Sequence, residues 1–133
     1  MLRVVLDTNV LVSAVISDGK PRELLRKGIA KEFSMVTSDR ILKELVTVLH
    51  RPIFKTSKDE SHRIVLALIR SSEVVNVKSK FEAVKVDPKD DMIVNTAYDG
   101  RADIIVSGDK HLLELENFTG IKIITIENML KLL

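Results

Sequence analysis

Two short apolar runs in this chain each stop at a carboxylate. Leu2-Arg3-Val4-Val5-Leu6 ends in Asp7, and Ile104-Ile105-Val106 leads through Ser107-Gly108 to Asp109. Runs rich in β-branched residues read as buried strands, so the residue that follows stands at a strand's carboxyl end. A further acidic pair, Asp90-Asp91, comes just after Pro88. If the strands are neighbours, these carboxylates converge, and converging carboxylates repel unless a cation lies between them. Cysteine is absent, which removes disulfides, thiolate metal sites and a thiol nucleophile. His50, His62 and His111 share no metal-ligand spacing. Oxygen ligands without sulfur or imidazole select Mg²⁺ or Mn²⁺.

Each acid also has an ordinary structural role. Asp7 opens Asp7-Thr8-Asn9-Val10, three short polar side chains that suit a helix cap as well as a ligand set. Asp91 lies four residues before Asn95, so the two share a helix face, and they are expected to look into the pocket with Asp90 turned aside. Glu44 falls at the edge of the apolar stripe formed by Ile41, Leu42, Leu45, Val48 and Leu49. Carboxylates at such rims are commonly just solvated. Gly108 is expected to let the backbone turn sharply before Asp109, with Ser107 orienting a water or a carboxylate.

The elements that must position these groups alternate. Strands are expected over 2–6, 33–37, 74–77, 104–107 and 121–125. Helices are expected from 9 or 10 to 16, then 21–31, 38 or 39 to 49, 59–71, 90–99, 109–115 and 127–132, with an irregular stretch over 78–89. Pro21 fits the first position of its helix, and Gly100 reads as a left-handed stop. Strands alternating with helices argue for an α/β fold with a parallel sheet covered on both faces. Ligands bind such sheets at the carboxyl ends of the strands, where strand order reverses.

A length of 133 residues suits one domain, 1–133, and no repeat or linker divides it. With five aromatic residues and no Trp, the core must be aliphatic. No apolar stretch approaches the roughly 20 residues of a membrane helix. The chain enters a strand at once, leaving no room for a secretory signal, and a cytoplasmic setting is expected. Net charge is only +2, yet its distribution is uneven. Ten basic residues face four acids between positions 19 and 58, whereas six Asp face Lys89 and Arg101 between 87 and 109. A basic half beside an acidic pocket suits a polyanion whose reacting phosphate is handled by metal, although charge alone favours the simpler reading of an ordinary solvated surface.

The chain resembles PIN-domain nucleases, specifically the toxin-like branch related to VapC-type toxins. The resemblance is carried by Val5-Leu6-Asp7-Thr8-Asn9-Val10-Leu11-Val12-Ser13-Ala14, by Ser38-Asp39-Arg40-Ile41-Leu42-Lys43-Glu44-Leu45 and the Arg51-Pro52 after it, by Asp87-Pro88-Lys89-Asp90-Asp91, and by Ser107-Gly108-Asp109-Lys110-His111-Leu112-Leu113. It implies a three-layer α/β/α sandwich around a five-stranded, mostly parallel sheet in the order 3-2-1-4-5. It implies hydrolysis of RNA phosphodiesters with one or two Mg²⁺ or Mn²⁺ ions. The family's four acids fall on Asp7, Glu44, Asp91 and Asp109, with the adjacent Asp90 competing for the third place. Thr8, Asn9 and Ser107 fall at the family's supporting polar positions, and Asn95 joins them through its spacing from Asp91. Lys20, Arg22, Arg40, Lys43 and Arg51 are candidates for the flanking phosphates. The toxin-like branch further implies a homodimer silenced by a small antitoxin protein.

Other readings remain open at this point. Aspartyl-nucleophile phosphatases also begin strand-Asp, but they need a second Asp two residues on, where this chain has Asn9. A phospho-accepting receiver domain would want its Asp at a middle strand, and strands two and three end in Thr37 and Val77-Lys78. A non-catalytic or RNA-processing module on the same scaffold would carry the same motifs.

Overall fold

The computed structural model describes residues 1–51, 58–84 and 87–133. Pro52 of the Arg51-Pro52 motif, Lys55 of the basic half and residues 85–86 of the expected irregular stretch lie outside the described residues. Strand β1 (Arg3–Leu6) sits at the centre of a six-stranded sheet. On one side lie β2 (Ser34–Ser38) and β3 (Ser72–Val75); on the other lie β4 (Ile104–Val106), β6 (Ile121–Ile124) and β5 (Asn117–Phe118). All pairs are parallel except β5 with β6. The expected 3-2-1-4-5 order is therefore present, with the expected fifth strand now β6.

The sixth strand is the addition. Two residues are too few to show a periodicity in sequence, so β5 was not foreseen. It folds back on β6 through Thr119 and Gly120, whose φ values of 48° and 89° are both positive, as a two-residue turn between right-twisted strands requires. Strand β3 also begins two residues early, immediately after helix α4 (Lys58–Ser71).

Val4, Val5 and Leu6 are all buried, as are Ile104, Ile105 and Val106. Successive strand residues point to opposite faces, so both faces are covered. Helix α1 (Thr8–Ile16) packs against α2 (Lys20–Ile29), α3 (Asp39–Leu49) and α4, while α5 (Pro88–Asp99) packs against β1, β2 and β4. Gly28 marks how closely α2 approaches the sheet: a Cβ there would stand 2.6 Å from the Met35 sulfur. Two short helices, α6 (Lys110–Leu115) and α7 (Ile126–Leu132), complete the fold. Among the described residues no helix is long and apolar enough to cross a membrane.

Gly100 corrects one expectation. Its φ is −83°, and Arg101 instead takes the left-handed conformation at 53°. Glycine is needed there for proximity, since a Cβ would lie 2.5 Å from Val36 Cγ1. Gly108 corrects another. Its φ is not left-handed and a Cβ would meet nothing within 4 Å among the described residues, so the turn into Asp109 makes no demand for glycine.

Candidate metal centre at the carboxyl edge of the sheet

Register places the first two groups. Leu6 pairs with Val106 across β1 and β4, so the next residues, Asp7 and Ser107, stand side by side. The Ser107 hydroxyl donates to Asp7 Oδ2 at 2.6 Å and accepts the Asp109 amide at 2.9 Å. One fully buried serine thus fixes two acids from neighbouring strands. Asp109 in turn caps α6, its Oδ1 accepting the amides of His111 at 2.8 Å and Leu112 at 3.2 Å. Asp7 precedes α1 without a side-chain cap, which leaves its carboxylate to the sheet edge.

Helices bring the others. Ser38 caps α3 by accepting the Ile41 amide and also bonds Thr96 of α5 at 3.0 Å, tying the two helices together. Asp87 caps α5 at the Lys89 amide, with Pro88 following in the first turn. The resulting cleft, about 50 Å³, is lined by Asp7, Thr8, Asn9, Glu44, Asp87, Lys89, Asp90 and Asp109. Glu44 sits at its rim, 3.6 Å from the Lys89 ammonium.

Asp91 and Asn95 are not in this cleft, and the expectation that they face it is corrected. They do share a helix face, but that face holds the segment 78–84. Asp91 accepts the Val84 amide at 2.6 Å, and Asn95 both accepts from and donates to the Phe81 backbone at 2.8 and 3.1 Å. Asp99 continues the row by accepting the amides of Lys78 and Ser79. Asp90 takes the place expected of Asp91. It lies in line with Val94 and Ala97, on the face that α5 turns to the sheet, whereas Asp91 lies in line with Asn95.

The electrostatics are those of a crowded anionic site. Burial pushes the Asp90 carboxyl up to about 7, reinforced by the charges of Asp109, Asp87 and Asp7. Burial likewise raises Asp7, with Asp109 and Glu44 adding to it against the Ser107 hydrogen bond. Asp90 Oδ2 and the Thr8 hydroxyl are buried with no hydrogen-bond partner among the described residues. Unsatisfied acceptors in a site of this charge suit a cation, and an all-oxygen donor set suits a hard divalent one. Among the described residues no three acidic or histidine side chains already stand as a ligand set around one point. Asp109 spends one oxygen on its cap, and Glu44 faces an ammonium.

The basic candidates divide. Arg22 is structural: its guanidinium donates to the carbonyls of Ala14 and Val15 at 2.8 and 2.7 Å and pairs with Glu60, closing the end of α1. Lys20 pairs with Glu127 at 3.0 Å. Arg40, Lys43 and Arg51 are exposed on and just after α3, the helix that carries Glu44. Lys89 was missed as a site residue, although its place between Asp87 and Asp90 in the first turn of α5 was a signal for it.

Comparison with known proteins agrees with this architecture. The family model described as PIN domain matches residues 3–111. The uncharacterized protein MJ1680 of Methanocaldococcus jannaschii is 32% identical over 120 residues, covering 87% of this chain and 76% of that protein. Among solved structures, PAE2754 from Pyrobaculum aerophilum superposes with a TM-score of 0.67 at 16% identity, over 98% of this chain and 88% of its own. VapBC2 from Rickettsia felis, solved bound to a DNA fragment from their promoter, gives 0.64 at 15% identity, over 93% of this chain and 98% of the matched one. At such identities the two structures speak for the fold.

Proposed function

This chain belongs to the PIN-domain family, and on that premise we propose that it is a metal-dependent endoribonuclease whose working acids are Asp7, Glu44, Asp90 and Asp109. PIN domains are generally nucleases. The observation that carries the reading is the meeting of these acids in one cleft, with a buried Asp90 oxygen that has no hydrogen-bond partner among the described residues.

Asp7, Asp90 and Asp109 are the residues that would hold one or two Mg²⁺ or Mn²⁺ ions, with Glu44 at the rim binding directly or through water. When bound, such an ion lowers the pKa of a coordinated water and neutralises charge on a phosphodiester. The chain's own part is positioning. Ser107 holds Asp7 and the backbone of Asp109 in fixed relation, so two ligands arrive pre-oriented. Thr8 and Asn9 add polar lining beside them. The row of Asp91, Asn95 and Asp99 anchors the segment that leads into the Asp87 cap and so sets where Asp90 stands. Arg40, Lys43 and Arg51 are placed to meet flanking RNA phosphates.

We further assign the protein a toxin-like role in the cytoplasm, as a homodimer silenced by a small antitoxin protein. The fold likeness to VapBC2 supports the antitoxin partnership in that assignment. Growth arrest on expression, lost in Asp7→Asn, is its expected sign; growth unaffected by the wild type counts against it. The chemistry is tested by cleavage of labelled RNA in Mg²⁺, Mn²⁺ or EDTA, with Asp7→Asn and Asp90→Asn alongside. Cleavage should need the metal and both carboxylates. Metal-independent cleavage, or full activity in either variant, overturns the assignment.

A further inference from the structure

Lys89 is the single cation among the described residues that line the cleft. Its ammonium lies 3.6 Å from Glu44 Oε1, spanning from the first turn of α5 to α3. Its side chain is 66% exposed, so as a fastening the pair contributes little. What matters is the place of the charge. Five carboxylates line the same cleft, and a divalent cation entering among them meets the ammonium as a like charge. The lysine stem is long and flexible, so the displaced ammonium stays at the mouth, where a polyanion arrives. Lys20 and Arg22, by contrast, are each engaged elsewhere in the fold.

We propose that Lys89 is a phosphate-gripping residue of this cleft: paired with Glu44 before a divalent ion binds, and transferred to an RNA phosphate beside the scissile bond once the ion neutralises the acids. The proposal rests on the nuclease reading above. It carries two consequences of opposite sign. Removing Lys89 relieves repulsion of the metal, and it weakens the hold on RNA.

The test uses the full chain as wild type, Lys89→Ala and Lys89→Arg. Without RNA, Mn²⁺ affinity is read from the electron paramagnetic signal of the free ion, and the Ala variant should bind a few-fold more tightly. A short fluorescein-labelled single-stranded RNA supplies the second readout. In single-turnover cleavage the half-saturating protein concentration should rise about tenfold in the Ala variant, the range of one lost charged hydrogen bond, with a smaller effect on the plateau rate. The slope of log affinity against log salt should become shallower by about 0.7, one phosphate contact on a single strand, and Arg should restore it. Unchanged half-saturation and salt slope in Lys89→Ala overturn the proposal, as does weaker Mn²⁺ binding. If the wild type binds this RNA without cleaving it in either metal, the nuclease reading falls while the salt slope still decides the role of Lys89. A wild type that does not bind the RNA overturns both.

Discussion

Asp90 and Asp91 are adjacent in the chain and serve different faces of α5. Asp90 is 6% exposed and turns into the cleft with one oxygen unpartnered among the described residues, while Asp91 accepts the Val84 amide at 2.6 Å and belongs to the row that holds the segment 78–84. A step of one residue on a helix rotates a side chain by about 100°, enough to separate a site residue from a fastening. The fastening matters to the site, since the segment it holds runs toward the Asp87 cap.

That separation can be measured. Asp90→Asn should lower the RNA cleavage rate by about a hundredfold or more, the upper range for disturbing a metal's ligand shell. The same variant in EDTA at pH 8 should be no less stable than the wild type, because it removes a charge that burial disfavours. Asp91→Ala should instead cost about 1–3 kcal/mol in urea unfolding, the price of leaving the Val84 amide without its acceptor. Near-wild-type cleavage by Asp90→Asn combined with a dead but stable Asp91→Ala would reverse the assignment.

The same buried acid makes metal-free stability depend on pH in an unusual direction. Burial, then the neighbouring acids, raise Asp90 to about 7 in the folded protein. Unfolded, it titrates near 3.9. Between these values the folded state keeps a proton that the unfolded chain has lost, so stability falls as pH rises through this window and levels off above it. From pH 5 to pH 8 in EDTA the expected loss is about 2–3 kcal/mol, with Asp7 acting in the same direction. Chemical denaturation at the two pH values measures it. Asp90→Asn should flatten the difference, and millimolar Mg²⁺ should stabilise the pH 8 form, since the ion binds the ionised site. A metal-free protein more stable at pH 8 than at pH 5 would contradict the burial of this charge.

The elements were legible where one physical signal dominated. The β-branched runs at 2–6 and 104–107 declared a buried parallel sheet, and register alone then set Asp7 beside Ser107. The third acid was misplaced because Asp91 and Asn95 offered an i, i+4 polar pair, and a polar pair reads equally as a pocket face or as a clamp on backbone. The better signal was present: position 90 continues the stripe of Val94 and Ala97, both fully buried, and a charge in line with an apolar stripe must be taken up by a site. Arg22 could not be told from a phosphate contact, because its partners are the Ala14 and Val15 carbonyls, which sequence does not mark. Lys89 escaped because its one signal, a place between Asp87 and Asp90, is outweighed by the ordinary reading of an exposed lysine in a first helical turn.

Two glycines should respond oppositely to the same change. Gly100→Ala puts a methyl 2.5 Å from Val36 Cγ1 and 3.0 Å from the Thr96 carbonyl, at a helix end whose carbonyl also receives the Arg3 guanidinium. Overpacking of this kind costs about 1–3 kcal/mol. Gly108→Ala meets nothing within 4 Å among the described residues and needs no left-handed φ. It should be neutral, or stabilising by about 0.4–1 kcal/mol through a less flexible unfolded chain. Thermal melts of the two variants decide the matter; equal melting temperatures would contradict the close approach at Gly100.

The hairpin at the sheet edge offers a gain rather than a loss. Thr119 and Gly120 both adopt positive φ between β5 and β6, the geometry of a type I′ turn. Glycine enters it freely, but a β-branched residue crowds its own backbone there, whereas asparagine is the side chain most at ease in the position. Thr119 is exposed, so its replacement disturbs no packing. Thr119→Asn should therefore stabilise the protein by about 0.5–1 kcal/mol, within the range for relieving a turn residue of an unfavourable backbone conformation. The turn belongs to an edge pair remote in sequence from Asp7, Glu44 and Asp90, so cleavage of RNA should be unaltered. Urea unfolding of the variant beside the wild type reads the effect, and a loss of stability would show that the left-handed threonine is held by contacts worth more than the strain.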